Sequence, residues 1–405
     1  MSDRSKKILG FIALFTIAGL FAAFIYFALI KAPPSIRPTT GPEVPGAMPG
    51  LPSADTGITL PTEVVPEPGF EGLPPSAIAD GGLVLTTRLT SSAITSPQLT
   101  SDGSIAFYDP ADGRFYTIDE NGNILPLSDK KFPDAEKVTF ADTADVAAIE
   151  FPDGTNIIYD FNTAVQTTLP KHWDEFDFDP DGQEVQSKNL TADPNTQSIV
   201  ITSTDGTRTE VVAALGTKSD SVTLDWSPND SIIGFSDTGV IQSGGFGRNQ
   251  IYILGRDGEA AGSIVVEGTH FSSKWSPDGS HIVYSIADRD ANYRPVLWYV
   301  KATGTNIGTD RKRLGVETPV EKCAFASETL LYCAVPREMP GYAGEDIRLI
   351  TAPDDVYSVN IATGRSVLVG APVTDFQMFN LSVSQDGSIL YFTDQAGRLN
   401  TMRLK

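Results

Sequence analysis

The chain has 405 residues, of which 40% are hydrophobic and 9% aromatic. That is enough apolar material for two or three ordinary domains or one large β architecture. The formal charge is −21, with 30 basic and 51 acidic side chains. Such a surface repels phosphate backbones and excludes nucleic acid as a general partner. Three histidines and two cysteines exclude a histidine-rich metal centre, a zinc ribbon and a disulfide-dense fold.

The N-terminal region contains a candidate membrane anchor. Residues 8–30 are uncharged and rich in Phe, Ile, Leu and Ala, and they are long enough to cross a bilayer as one helix. Arg4, Lys6 and Lys7 precede the segment, which predicts residues 1–7 as a cytoplasmic tail. The sequence therefore predicts a single-pass signal anchor in the cell (inner) membrane, with the remainder periplasmic or extracellular. The alternative is a cleaved secretory signal, although no Ala-x-Ala site follows the segment.

Residues 31–80 have the composition of a linker. Between residues 33 and 75 the chain holds 12 of its 28 prolines and almost no large apolar side chains. Such a stretch cannot bury a core and favours extended conformations. We predict a disordered, proline-rich linker between the membrane and a folded domain at residues 81–405.

The folded part repeats one pattern every 40 to 50 residues. Its clearest copies are Trp275-Ser276-Pro277-Asp278-Gly279 and Trp226-Ser227-Pro228-Asn229-Asp230, each followed by an apolar strand. Proline presets φ and Asp-Gly supplies the positive φ of a tight turn, so each copy predicts a hairpin. Weaker copies bring the number of turns to seven, near residues 102, 144, 181, 229, 278, 328 and 386.

Four-stranded units at this period are typical of a β-propeller. The sequence therefore predicts an all-β fold with seven blades, while six or eight remain open because two turns are degenerate. The last unit, residues 376–405, has room for three strands. The preceding strand at residues 83–89 is predicted to supply the fourth strand and close the ring.

These aromatic-Ser-Pro-Asp-Gly repeats resemble the TolB-type β-propeller family over about 320 residues. The resemblance implies a propeller that binds protein partners in the bacterial envelope. This chain has a proline-rich segment where that family has a folded domain.

The connections between the second and third strands of the blades differ in length. They are short in blades 1, 2 and 7 and long in blades 3 to 6, at about residues 188–196, 237–248, 287–295 and 336–355. Long loops on a rigid scaffold often carry binding sites, and aromatic and guanidinium groups suit a protein or glycan partner. The predicted partner-binding residues on this face are Trp173, Phe246, Arg248, Arg289, Asp290, Tyr293, Arg294 and Tyr342.

Cys323 and Cys333 flank the predicted turn at Glu328 at equal distances. Directly opposed residues of a hairpin come close enough for a disulfide. We predict that bond in an oxidising compartment, with two buried thiols as the alternative.

Asp177, Asp179 and Asp181, followed by Gly182, match the opening of many calcium loops. Lys188 stands where such a loop would place its last glutamate, and the same residues form the hairpin turn of blade 3. Calcium is therefore a candidate cofactor only through these three carboxylates, and no other cofactor is predicted.

Enzyme motifs are weak: the sequence has no Gly-x-Ser-x-Gly, no Gly-x-x-x-x-Gly-Lys and no His-Glu-x-x-His. The sequence thus favours a non-catalytic, membrane-tethered propeller that binds or scaffolds proteins of the cell envelope. The alternative is an enzyme or binding protein that takes an envelope polysaccharide into the propeller channel. Titratable groups with perturbed pKa values converging in that channel would favour the alternative.

Overall fold

The computed structural model describes residues 74–119, 122–239, 247–340 and 349–405. Within these residues the strands form seven sheets, and four short 3-10 helices lie in the connections. The 3-10 helices span Pro194–Thr196, Gly216–Ser221, Gly304–Asn306 and Val320–Lys322. The fold is a seven-bladed β-propeller, as the repeat predicts.

Blades 1 to 5 each consist of four strands that are consecutive in the chain. The chain enters through two short strands, β1 (Leu83–Val84) and β2 (Thr86–Arg88). Blade 1 consists of β3 (Thr95–Leu99), β4 (Ile105–Asp109), β5 (Arg114–Ile118) and β6 (Ile124–Pro126). Blade 2 consists of β7 (Lys137–Phe140), β8 (Val146–Glu150), β9 (Asn156–Asp160) and β10 (Gln166–Leu169). Blade 3 consists of β11 (Trp173–Phe178), β12 (Glu184–Asn189), β13 (Ser198–Ser203) and β14 (Thr209–Ala214). Blade 4 consists of β15 (Val222–Leu224), β16 (Ile232–Ser236), β17 (Arg248–Gly255) and β18 (Ala260–Glu267). Blade 5 consists of β19 (Thr269–Trp275), β20 (His281–Asp288), β21 (Arg294–Lys301) and β22 (Lys312–Arg313).

Blades 6 and 7 complete the ring. Blade 6 contains β23 (Cys323–Ser327), β24 (Leu330–Pro336), β25 (Asp354–Asn360) and β26 (Ser366–Pro372). Blade 7 contains β27 (Phe379–Val383), β28 (Ile389–Thr393) and β29 (Leu399–Arg403). The first strands of several adjacent blades contact each other, so the first strand of each blade is the one nearest the axis.

The Ser-Pro-Asp-Gly segments form the turns between the first and second strands. In blade 5, Asp278 Oδ1 accepts hydrogen bonds from Ser276 Oγ at 2.6 Å and from the backbone N–H of Ser280 at 2.9 Å. Gly279 takes a φ of +65°, a conformation that glycine adopts without strain. These local bonds explain why the repeat is readable in the sequence.

The predicted closing strand is present, but it is divided between two blades. β2 pairs antiparallel with β29 and supplies the fourth strand of blade 7. β1 pairs parallel with β26 and becomes a fifth strand of blade 6. Val84 is fully buried between these blades, so one short segment closes the ring and joins the last two blades.

The hydrophobic core lies between adjacent blades. Each sheet packs both faces against its neighbours, which is why the second strands are almost continuously buried. The blade 1 and 2 interface holds an aromatic cluster in which Phe115 contacts Phe132, Phe140 and Phe161. Such interfaces hold each innermost strand in a fixed position around the axis.

The predicted disulfide joins β23 and β24. Cys323 and Cys333 are directly paired across the hairpin, with their Cα atoms 4.0 Å apart. Both residues are fully buried against blade 5. The prediction from equal spacing about the turn is confirmed.

In the part of the chain that the structure describes, we find no helix with the length and apolar character needed to cross a membrane. The predicted cytoplasmic tail, the anchor at residues 8–30 and the linker as far as residue 73 lie outside the described residues.

Candidate binding site in the central channel

Three charged side chains occupy the same position in three successive blades. Asp177, Asp225 and Lys274 each directly precede the aromatic residue of the repeat. Successive side chains of a strand point to opposite sides. The aromatic residues are 6 to 7% exposed and pack in the core, while the charged residues before them line the central channel.

The channel contains a cavity of about 680 Å³ that is bordered by blades 1 to 5. Besides the three charged residues, it is lined by the polar side chains of Gln98, Asp142 and Ser273 and by the rings of Phe178, Trp226, Phe271 and Trp275. A concave surface with aromatic walls and a few convergent polar groups is typical of a ligand site.

Hydrogen bonds between blades hold the charged groups in place. Asp177 Oδ2 accepts from the backbone N–H of Trp226 at 2.5 Å and from Gln186 Nε2 at 3.0 Å. Asp225 Oδ2 accepts from Ser273 Oγ at 3.3 Å, and Lys274 Nζ donates to the carbonyl oxygen of Cys323 at 2.6 Å. The Asp177–Gln186 bond lies within blade 3, whereas the other three bonds each reach the next blade. The geometry of the site therefore depends on the closed ring.

Burial shifts the protonation of these groups away from their ordinary values. It raises the pKa of Asp177 to about 6. Burial, together with the charge of Asp177, raises the pKa of Asp225 well above its usual range. Burial also raises the pKa of Asp142 and lowers that of Lys274. The channel carboxyls therefore hold protons more readily than in water, and such shifts concentrate at functional sites.

A second charged group lies in blade 6, near the face that carries the long loops. Lys322 Nζ and Asp354 Oδ2 are 2.5 Å apart, and both side chains are 0% exposed. The backbone N–H of Met378 also donates to Asp354 Oδ2, at 2.7 Å. Burial raises the pKa of Asp354 and lowers that of Lys322. Lys322 directly precedes β23 and Asp354 begins β25, so the ion pair lies within blade 6, and the Met378 N–H links Asp354 to blade 7. The pair is fully buried and presents no exposed surface to a partner.

The connections between the second and third strands are long in blades 3, 4 and 6, as predicted, but that of blade 5 runs only from Arg289 to Tyr293 and is no longer than those of blades 2 and 7. The predicted anchors Arg248 and Arg294 have partners within the chain. Arg248 Nε is 3.3 Å from Glu267 Oε1. Arg294 Nη1 is 3.2 Å from Glu317 Oε2. Both arginines are the first residues of strands rather than loop residues.

The other predicted contact residues are dispersed. Arg289 and Asp290 are exposed in the turn after β20, and Tyr293 is half-buried there with a φ of +57°. Trp173 is 8% exposed, packs between blades 2 and 3 and borders a separate cavity of about 480 Å³. Phe246 and Tyr342 lie outside the described residues.

The three aspartates of the calcium hypothesis point to different surroundings. Asp177 lines the channel, whereas Asp179 Oδ1 accepts from the backbone N–H groups of Gln183 and Glu184 in its own turn. Asp181 is exposed. Among the described residues, the side chains close enough together to share one metal ion are instead those of Asp278, His281 and Glu328.

Sequence reasoning did not single out Asp225 or Lys274, and it selected Asp177 for a different reason. The available signal was their common place immediately before the aromatic residue of the repeat. That signal becomes informative once the repeats are known to form a closed ring, because only then does one position per blade face a common axis.

Comparisons with known proteins agree with the fold. No family model matches the chain. A search of curated proteins likewise finds no match. Among solved structures, an oligogalacturonate lyase in complex with manganese aligns at 15% identity with a TM-score of 0.54, over 79% of this chain and 93% of that one.

Two further structures give the same result. An oligogalacturonate lyase from Vibrio parahaemolyticus aligns at 13% identity with a TM-score of 0.55, over 79% of this chain and 93% of that one. The β-propeller domain of Cps50 (Swd1) from Myceliophteria thermophila aligns at 11% identity with a TM-score of 0.56, over 79% and 100% of the two chains. At these identities the likeness shows a shared propeller fold.

Proposed function

We propose that this chain is a membrane-tethered β-propeller outside the cytoplasm that binds a protein partner by taking a basic segment of it into the central channel. The observation that carries the proposal is the convergence of Asp142, Asp177 and Asp225 on one cavity of about 680 Å³. The tether and its orientation rest on the apolar segment at residues 8–30 and the basic residues before it.

The charge of the cavity selects the ligand class. Three carboxyl groups face one ammonium group, Lys274, and although burial raises their pKa values, a bound cation favours their ionised forms, so the cavity favours cations over anions. The remaining surface strengthens this preference, because the chain beyond residue 31 carries a formal charge of −24. The half-buried Phe271 and the edges of the largely buried Trp226 and Trp275 also border the cavity, and the stem of a lysine or arginine side chain can pack against them.

The face with the long loops supports binding less directly. Arg248 and Arg294 already pair with glutamates of the same chain, so a partner would have to compete with those contacts. The exposed side chains of Arg289 and Asp290 are suited to a peripheral contact with the same partner.

A titration of the full-length protein in mild detergent tests the proposal. Trp226 and Trp275 line the cavity, so intrinsic fluorescence should change when pentalysine binds and should not change with pentaglutamate. Raising the salt concentration should weaken binding, because the attraction is electrostatic. Asp225→Asn should weaken pentalysine binding several-fold.

Asp205→Asn is the matched control for this titration. Asp205 is an exposed aspartate in the outer turn of blade 3 and is not among the channel residues. Its replacement should leave binding unchanged. The proposal fails if wild-type protein does not discriminate between the two peptides, or if the two variants lose binding equally.

The second candidate function is an enzyme that cleaves a polysaccharide in the channel. The raised pKa values of Asp177 and Asp225 and the lowered pKa of Lys274 favour it, since burial that shifts carboxyl and ammonium groups in these directions suits acid–base chemistry. Two of the similar structures are oligogalacturonate lyases. The acidic cavity opposes a polyuronate substrate, because carboxylates on both sides repel each other. Incubation with polygalacturonate and with neutral glycans, followed by product analysis, distinguishes the two functions.

A further inference from the structure

The hairpin turns of adjacent blades meet on one face of the ring, and several of these junctions are neutral hydrogen bonds. Asn229 Nδ2 donates to the carbonyl oxygen of Gly279 at 2.8 Å between blades 4 and 5. The backbone N–H of Ser101 donates to the carbonyl oxygen of Asp142 at 2.8 Å between blades 1 and 2. Gln385 Nε2 donates to the carbonyl oxygen of Ser101 at 2.6 Å between blades 7 and 1. Donors and acceptors are matched at each of them.

The junction between blades 5 and 6 is different, because two carboxylates meet there. Asp278 belongs to the turn of blade 5 and Glu328 to the turn of blade 6. One ligand atom from each of Asp278, His281 and Glu328 lies within 4.8 Å of the others. His281 Nδ1 is 3.9 Å from Asp278 Oδ1. Like charges this close repel each other unless a proton or a cation lies between them.

Two buried atoms at this junction have no hydrogen-bond partner. His281 is only 6% exposed; its Nδ1 atom lies 3.0 Å from Ser280 Oγ, its ring interacts with the backbone of Glu328, and its Nε2 atom has no partner at hydrogen-bond distance. Glu328 Oε2 is also buried and without a partner, while the Glu328 carboxyl interacts with the side chain and backbone of Asp278, and burial together with that neighbour raises its pKa to about 7. Buried polar atoms are almost always satisfied in folded proteins, so two such atoms in one cluster are groups to which a ligand can bind. The ring of His281 packs between two aromatic rings, with centroid distances of 4.8 Å to Tyr299 and 6.0 Å to Phe325, and this packing fixes it at the junction.

We propose that Asp278, His281 and Glu328 bind one divalent metal ion, zinc or manganese, that joins the hairpin turns of blades 5 and 6. One imidazole nitrogen and two carboxylate oxygens form a donor set that suits these ions. The two negative charges balance the charge of the ion.

The geometry requires only a small adjustment to bind the ion. Ligand bonds to zinc are about 2.1 Å long, so ligand atoms of one ion lie about 3.4 Å apart. The three side chains, which lie within 4.8 Å of one another, must therefore move inward by roughly an ångström. The Glu328 turn lacks the Pro-Asp-Gly segment, and the ion would fasten this turn to the regular turn of blade 5.

Isothermal titration of full-length protein that has first been treated with EDTA tests the site. Zinc or manganese chloride should bind wild-type protein with one ion per chain at this site. Magnesium should bind far more weakly, because it gives up its water ligands reluctantly and demands near-ideal octahedral geometry. Glu328→Gln and Asp278→Asn should each weaken binding by tenfold or more.

Asp386→Asn is a closely matched control. Asp386 occupies the equivalent turn of blade 7 and accepts hydrogen bonds from Ser384 Oγ at 2.7 Å and from the N–H of Ser388 at 2.9 Å, much as Asp278 does. It is not part of a metal-capable cluster among the described residues. Its variant should bind the ion as wild type does.

Thermal melting separates loss of the site from loss of the fold. Without metal, Glu328→Gln should melt no lower than wild type, because the repulsion with Asp278 is removed. Metal should raise the melting temperature of wild type and leave that of Glu328→Gln unchanged. The proposal is overturned if neither ion binds wild type, if magnesium binds as tightly as zinc and manganese, or if Asp386→Asn loses as much affinity as Asp278→Asn.

Discussion

The half-buried carboxyl of Asp177, which lines the channel, should give the propeller a pH-dependent stability that Asp177→Asn removes. Burial raises its pKa from 3.8 to about 6. A carboxyl with a higher pKa in the folded state binds its proton more tightly there than in the unfolded chain. Its contribution to stability is therefore greatest at low pH and is lost as the pH rises from about 4 to about 6.

The size of the effect follows from the shift. About two pKa units correspond to about 3 kcal/mol, lost at about 1.4 kcal/mol per pH unit and constant above pH 6. In Asp177→Asn this loss is absent, while the asparagine oxygen can still accept from the N–H of Trp226. The stability of the variant relative to wild type should therefore rise between pH 4 and pH 6.

Urea unfolding followed by tryptophan fluorescence, at several pH values from 3.5 to 8, measures this difference. The change of this stability difference with pH tests the reasoning, because a difference that is the same at every pH reflects only the altered hydrogen bonds. Asp386→Asn is a control in which the stability of the variant relative to wild type should rise as the pH falls. Hydrogen bonds from Ser384 and Ser388 lower the pKa of Asp386 to about 2, so its effect should appear only as the pH falls below 4. A difference between wild type and Asp177→Asn that does not vary with pH would refute the argument.

Three further changes test the packing between and within blades. Replacement of both Cys323 and Cys333 by alanine should cost about 3 kcal/mol in urea unfolding, because the bond closes a loop of ten residues; a loss below 1 kcal/mol would contradict this. Lys322→Met should cost roughly 3 to 5 kcal/mol, since it leaves a buried carboxylate without its cation, and unchanged stability would refute the role of the ion pair. Gly258→Ala should lower the melting temperature more than Gly304→Ala. Both residues have positive φ, but an added Cβ would lie 2.1 Å from a carbonyl oxygen only at Gly258, so equal losses would argue against the close approach.

The sequence predicts the fold well because the turns of the propeller are local. The bonds that shape the turn at Asp278 come from residues two positions away on either side. Even the degenerate turn of blade 2 is a hairpin turn, where Ala144 takes a φ of +55° in place of glycine. The closing strand was also predictable, because the last unit lacks a strand. Its division into two pieces depends on contacts with blade 6 and leaves no local signal.

The site was harder to predict because its members meet only in three dimensions. Asp177 and Asp179 are two residues apart, which suggested one calcium loop. Within β11 the alternation places Asp177 at the channel, while Asp179 caps the following turn. Arg294 was predicted to contact a partner from its position beside a connection that was expected to be long. Its acidic partner, Glu317, is 23 residues away and belongs to the connection after the last strand of the blade.

The charged residues of the channel are not required by the fold. Gln98 stands two residues before the turn residue Thr100 in blade 1, just as Lys274 stands two residues before Ser276 in blade 5. A neutral amide thus fills in one blade the position that Asp177, Asp225 and Lys274 fill in three others. Burial of ionisable groups is costly, and the raised pKa values of both aspartates reflect that cost. A propeller with neutral side chains at all these positions would be more stable, so the presence of three charged groups around one cavity favours a role in binding over a role in folding.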